Sequence, residues 1–157
     1  MFAPSISQTE ATTVACLAMH GPYAQIPQGY AMLYQWVEAN GYVPMGMPRA
    51  AYLTDPAHTP EAEAVWELWA PVQPGPLPSG PDDKGLGIKI IAPRTLVTAV
   101  HKGPYDAVGA AYEALAAWLA EQGYEMAGPP EEAYLTDPAE VPPEEYLTEI
   151  AFPVNAS

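Results

Sequence analysis

The stretch Ala51-Tyr52-Leu53-Thr54-Asp55-Pro56-Ala57 occurs twice in this chain, returning 82 residues later as Ala133-Tyr134-Leu135-Thr136-Asp137-Pro138-Ala139. The same offset holds along the chain without a gap. Gly21-Pro22-Tyr23 returns as Gly103-Pro104-Tyr105, and Tyr30, Leu33 and Trp36 return as Tyr112, Leu115 and Trp118. Gly41-Tyr42 returns as Gly123-Tyr124, Glu67 as Glu149, and Pro71-Val72 as Pro153-Val154. A period this long indicates two copies of a small module rather than a solenoid. Repeat 1 spans about 4–72 and repeat 2 about 86–154, and residues 1–157 are read as a single domain. The join, residues 73–87, has prolines at 74, 76, 78 and 81 and reads as an extended, exposed linker.

Each copy reads as strand, strand, helix, strand, strand. Gly87-Ile88-Lys89-Ile90-Ile91 is a β-branched run, matched more weakly by residues 4–10. Thr13–His20 and Thr95–Lys102 form second strands that stop at Gly-Pro-Tyr. Val108, Tyr112, Leu115 and Leu119 then fall on one helical face, as do Ile26, Tyr30, Leu33 and Val37. Gly41 and Gly123 stand where left-handed C-caps are expected, and Pro27 fits a first turn. A strand centred on Ala-Tyr-Leu follows, turned by Thr-Asp-Pro-Ala, and Ala64–Val72 or Tyr146–Val154 closes the copy. One helix covers a four-stranded sheet poorly. The expected fold is therefore a single α+β domain with an antiparallel sheet, pseudo-twofold, both helices on one side and a central ligand cleft between the copies.

Charge narrows the function. The net charge is −14, with only five Lys and Arg. Clustered cations for phosphate contacts are lacking, so direct nucleic-acid binding is not expected. An acidic surface favours cationic ligands or a basic protein partner. A single cysteine, Cys16, precludes an intrachain disulfide and reads as a small core residue. His20, His58 and His101 are not at ligand spacing, so no metal site is expected, and no phosphate loop or nucleophile motif points to a cofactor. With neither a signal-peptide pattern nor a long apolar run, a cytoplasmic protein without membrane association is expected.

Strand parity locates the candidate chemistry. Ile150, Phe152 and Val154 share one face, the natural one to pack under a helix, and Glu149 points to the other with Leu147 and Ala151. Trp66, Leu68 and Ala70 likewise oppose Glu67, Val65 and Trp69. Two carboxylates related by the repeat thus project away from the helices. Beside aromatic rings, such a carboxylate attracts an organic cation, with cation–π contacts worth about 0.5–2 kcal/mol. Desolvated, it is equally a candidate general base. Tyr30 and Tyr112 lie on the apolar helix faces, where core packing is the plain alternative, and Trp36 and Trp118 read as core. Tyr52 and Tyr134 can point either into the cleft or under the helix.

Gly-Pro-Tyr before each helix, Tyr-x-x-Asp-Pro after it and the closing Glu149-Ile-Ala-Phe-Pro-Val together resemble the GyrI-like small-molecule-binding family. The resemblance covers nearly the whole chain. It implies an effector-binding domain like those of multidrug-responsive transcription activators, which bind lipophilic cations, here in a stand-alone form without a helix-turn-helix. It makes Glu149 the central pocket residue and places Tyr112, Trp69 and Tyr134 in the aromatic wall, with Glu67 as a further ligand-binding candidate. The implied function is binding of hydrophobic aromatic or cationic small molecules. An alternative from the same resemblance is hydrolysis of strained electrophiles such as cyclopropanoids, with Glu149 as general base activating water and Tyr112 stabilising or protonating the leaving group. A gyrase-inhibitor-like factor that binds a protein through its acidic surface is the third reading.

Overall fold

A computed structural model describes residues 4–54, 58–136 and 139–156, so the Asp-Pro core of each repeated turn lies outside the described residues. In chain order the elements are β1 (Ser5–Thr9), β2 (Thr12–His20), α1 (Ile26–Ala39), β3 (Arg49–Tyr52), β4 (Val65–Pro71) and β5 (Leu86–Ile91). Then follow β6 (Arg94–Lys102), α2 (Val108–Gln122), β7 (Tyr124–Met126), β8 (Glu131–Tyr134) and β9 (Leu147–Ala156). The chain is α+β, with antiparallel strands and two helices. It divides into two compact units: Glu10–Pro93, here the N-unit, and Met1–Thr9 with Arg94–Ser157, here the C-unit.

The units share one strand order under the 82-residue offset. In the N-unit β4 lies between β3 and β2, and β5 flanks β2. In the C-unit β9 lies between β8 and β6, and β1 flanks β6. The first strands are therefore exchanged. β1, from the first copy, pairs with β6 of the second, while β5, from the second copy, pairs with β2 of the first. The short β7, not anticipated from the sequence, extends the C-unit by pairing with the end of β9.

Each helix buries the face its periodicity marks. Leu33 and Val37 of α1 pack with Ala15, Leu17, Trp66, Leu68 and Ala70. Ala111, Leu115 and Leu119 of α2 pack with Val97, Ala99, Ile150, Phe152 and Val154. Trp36 and Trp118 lie half-buried at these cores, against Tyr42 and Tyr124. Of the segment 73–87, residues 73–85 are largely exposed, whereas Leu86 and Gly87 are buried as the start of β5, and Ser79 forms a β-bridge to Ile88.

The repeated motifs are explained by backbone hydrogen bonding. Gly21 (φ 104°) and Gly103 (φ 135°) take left-handed turns open to glycine. Their amides donate to Ala64 and Tyr146 carbonyls, equivalent residues of the two copies, both at 2.8 Å. The threonine of each Ala-Tyr-Leu-Thr accepts an amide from the closing strand: Val65 to Thr54 Oγ1 and Leu147 to Thr136 Oγ1, both 3.0 Å. The second bond is partly buried and the first exposed, so Thr136→Ala is expected to cost about 1 kcal/mol. Thr54→Ala is expected to cost less, and chemical denaturation of the two variants will show the order.

Candidate functional site

The side of the C-unit sheet that faces α2 carries a buried acid. Glu132 lies opposite Ile150 in the β8–β9 register, so it projects with the core residues, and it is 9% exposed. Its carboxylate accepts hydrogen bonds from Tyr112 Oη of α2 at 2.5 Å and from Tyr134 Oη at 3.1 Å. Burying an ionised carboxylate is costly unless it is hydrogen-bonded, and the two phenols supply those bonds. Further rings continue outward. Tyr105 meets Tyr134 edge-on at 5.4 Å and stacks on Tyr146 at 4.7 Å, while Tyr112 packs on Phe152 at 5.7 Å. Tyr105, 37% exposed, is the most exposed of these rings. The fully buried Thr148, opposite Tyr134 in register, adds a hydroxyl with no hydrogen-bond partner among the described residues.

This constellation is specific to one copy. At the offset of 82, Glu132 replaces Ala50, Thr148 replaces Trp66, and Tyr146 replaces Ala64. In the N-unit the fully buried Trp66 indole fills the corresponding region against Tyr23, donating its Nε1–H to Gly21 O at 3.0 Å. Tyr52 packs there too, edge-on to Tyr23 at 5.4 Å.

The opposite faces hold the carboxylates singled out by repetition. Glu149 lies opposite Val100 and Ala133, half-buried, on the side of the sheet away from α2, as parity predicts. Tyr112 and Tyr134 are therefore brought together with Glu132, on the other side of the sheet from Glu149. On the same face as Glu149, the fully buried Glu131 is bound in a bidentate pair by Arg94 Nη1 and Nη2.

In the N-unit, Glu67 and Trp69 do share a face and do touch. Glu67 Oε1 accepts from Trp69 Nε1 at 2.9 Å, from Lys89 Nζ at 2.7 Å and from Cys16 Sγ at 3.4 Å. Burial pushes the Glu67 carboxyl up, but the hydrogen bonds from Lys89, Trp69 and Cys16 and the lysine charge outweigh it, leaving the carboxyl below its ordinary range. Burial, then the Glu67 charge, pushes the Cys16 thiol up to about 12, so it stays protonated and unreactive at neutral pH. Cys16 is buried as expected, but on the face away from α1, with Val14, Ala51 and Trp69.

Among the described residues no group of three or more His, Cys, Asp or Glu is gathered to hold a metal, and no helix is long and apolar enough to cross a membrane. The repeat does not mark Glu132, because the two copies differ at that position. The available signal was a divergence. An acid two residues before Tyr134 in a short strand must share its face, and its equivalent in the other copy is an alanine.

The model of the GyrI-like small molecule binding domain matches the chain twice, over residues 4–73 and 75–155. The chain belongs to the GyrI-like family. Its fold matches the C-terminal domain of EcmrR (22% identity, TM-score 0.83, covering 100% of this chain and 99% of that one). Against EcmrR in its complex with DNA, this chain spans 58% of the longer protein. A hydrolase from Listeria innocua (14% identity, TM-score 0.69, 97% and 91% covered) has the same fold. So does SAV2435, whose structure is bound to tetraphenylphosphonium (16% identity, TM-score 0.57, 98% and 94% covered). A search of curated protein sequences finds no match. The two family matches join near Pro74, consistent with a duplicated GyrI-like module.

Proposed function

We propose that this GyrI-like protein binds hydrophobic aromatic or cationic small molecules at the tyrosine-ringed carboxylate of the C-unit. One observation carries the reading: a buried glutamate held by two phenols, with further rings leading to the surface. The carboxylate supplies the charge an organic cation needs, and the ring faces supply stacking and cation–π attraction of about 0.5–2 kcal/mol per contact. Thr148 adds a polar group beside Tyr134 for a ligand that carries a donor or acceptor. The net charge of −14 raises the local concentration of cations around the whole molecule. That SAV2435 is bound to tetraphenylphosphonium agrees with this ligand class.

Tetraphenylphosphonium is therefore the probe, titrated calorimetrically. Glu132→Gln, which keeps shape and removes charge, is expected to weaken binding by about tenfold or more, equivalent to about 1.4 kcal/mol. Glu149→Gln is the parallel arm, because the closing-strand glutamate is the residue the family resemblance makes central. Loss in Glu149→Gln with full affinity in Glu132→Gln would move the pocket to the other face of the sheet. Unchanged affinity in both variants would sink the proposal.

The 2.5 Å bond from Tyr112 to Glu132 favours a second, catalytic reading. A carboxylate takes a proton from water as the hydroxide attacks a strained carbon, and a tyrosine hydroxyl protonates the carbon released as the ring bond breaks. In this reading Tyr112 acts with Glu132, in place of the pairing with Glu149 that the family resemblance implies. Turnover of a cyclopropane-bearing electrophile, lost in Tyr112→Phe with binding retained, would distinguish catalysis from binding.

A further inference from the structure

The N-unit contains a second acid–aromatic corner, on the side of its sheet away from α1, and an ammonium group is already seated in it. Lys89 Nζ lies 2.7 Å from Glu67 Oε1 and 5.9 Å from the centroid of the Trp69 ring. Trp69 turns its indole N–H onto the same carboxylate oxygen and its ring toward the lysine, so one cation meets both a charge and a π-face. The Glu67 side chain is 15% exposed and the lysine 43%, so the carboxylate is enclosed while its cationic partner lies toward solvent. The residues flanking Glu67 on the neighbouring strands are Ala18 and Ala51, both small. Arg49, opposite Trp69 on β3, is a second cation on this face.

The lysine reaches this position through the exchanged strand. Lys89 is on β5, the second copy's first strand, opposite Val14. Its counterpart on β1 is Ser7, opposite Leu96 in the C-unit, and the counterparts of Trp69 and Cys16 are Ala151 and Thr98. The C-unit therefore carries a glutamate at this position without the ring or the lysine, and only the N-unit has the complete cation-binding set.

We infer that the Glu67–Trp69 corner is a second site for organic ammonium ions, which the chain occupies with its own Lys89 side chain. The lysine acts as a tethered competitor. Being covalently attached, it sits at an effective concentration that free cations reach only at high dose. In the unaltered chain this keeps the N-unit closed, and cationic ligands are directed elsewhere. This inference goes beyond the C-unit proposal and does not depend on it.

The test follows the Trp69 indole N–H by NMR while benzyltrimethylammonium is added to the full chain. Lys89→Met keeps the apolar stem and removes the ammonium. It is expected to give a saturable shift of the Trp69 resonance, with affinity at least about tenfold tighter than in the unaltered chain. Glu67→Gln in the Lys89→Met background is expected to abolish that shift. The rest of the spectrum reports folding, and Lys89→Gln serves as the second variant should Lys89→Met not fold. An indole resonance unmoved in a folded lysine variant, or a gained site that survives Glu67→Gln, would overturn the inference. The readout is confined to Trp69, so failure of the Glu132 proposal leaves it standing, and the reverse holds.

Discussion

Arg94→Ala is expected to lower the unfolding free energy by about 3 kcal/mol or more, measured by urea denaturation at pH 7. Glu131 is 1% exposed, and Arg94 holds both its oxygens in a bidentate pair. The substitution removes two charge-assisted hydrogen bonds from a carboxylate that water does not reach. Replacing both partners by apolar residues of similar volume, as in Arg94→Met with Glu131→Leu, is expected to restore most of the stability, because no buried charge then remains. A double variant as unstable as Arg94→Ala would show that the pair acts through packing instead.

Trp66→Ala is the second large effect, with an expected loss of about 3–5 kcal/mol. The indole is fully buried between α1 and the N-unit sheet, packs against Tyr23, and donates to the Gly21 carbonyl. The substitution opens a cavity and leaves that carbonyl without its indole donor at the turn that starts the helix. Its counterpart in the C-unit is Thr148, so the two copies differ at the same core position: one is filled by a ring, the other lined by a hydroxyl. Tetraphenylphosphonium affinity is expected to be unchanged in Trp66→Ala as long as the protein remains folded, since the proposed pocket lies in the C-unit. A parallel loss of affinity would argue that the N-unit supplies part of the ligand site.

Function in a duplicated protein can lie where the copies agree or where they diverge. Agreement pointed to Glu67 and Glu149 and correctly put both on the sheet faces away from the helices. Divergence assembled the tyrosine-ringed acid, through Ala50 against Glu132, Trp66 against Thr148 and Ala64 against Tyr146. The residues held in common include many that serve the fold, among them the Gly-Pro-Tyr turn and the threonine that accepts an amide from the closing strand.

The duplication, the α+β class, the helical faces and the in-or-out parity of each strand were legible in the sequence alone. The duplication rests on matches at one fixed offset of 82 residues, and the helical faces and strand parity rest on local periods, 3.6 residues for a helix and two for a strand, that the backbone imposes whatever surrounds it. Tertiary structure alone decided which strands pair and which side chains therefore meet. The exchange of β1 and β5 sets Lys89 on Glu67 across 22 residues of sequence. The hydroxyls of Tyr112 and Tyr134 converge on Glu132 because a helix and a strand close over one carboxylate. Contacts of this kind depend on register and chain path, which emerge from the packing of the whole sheet and leave no local period to read.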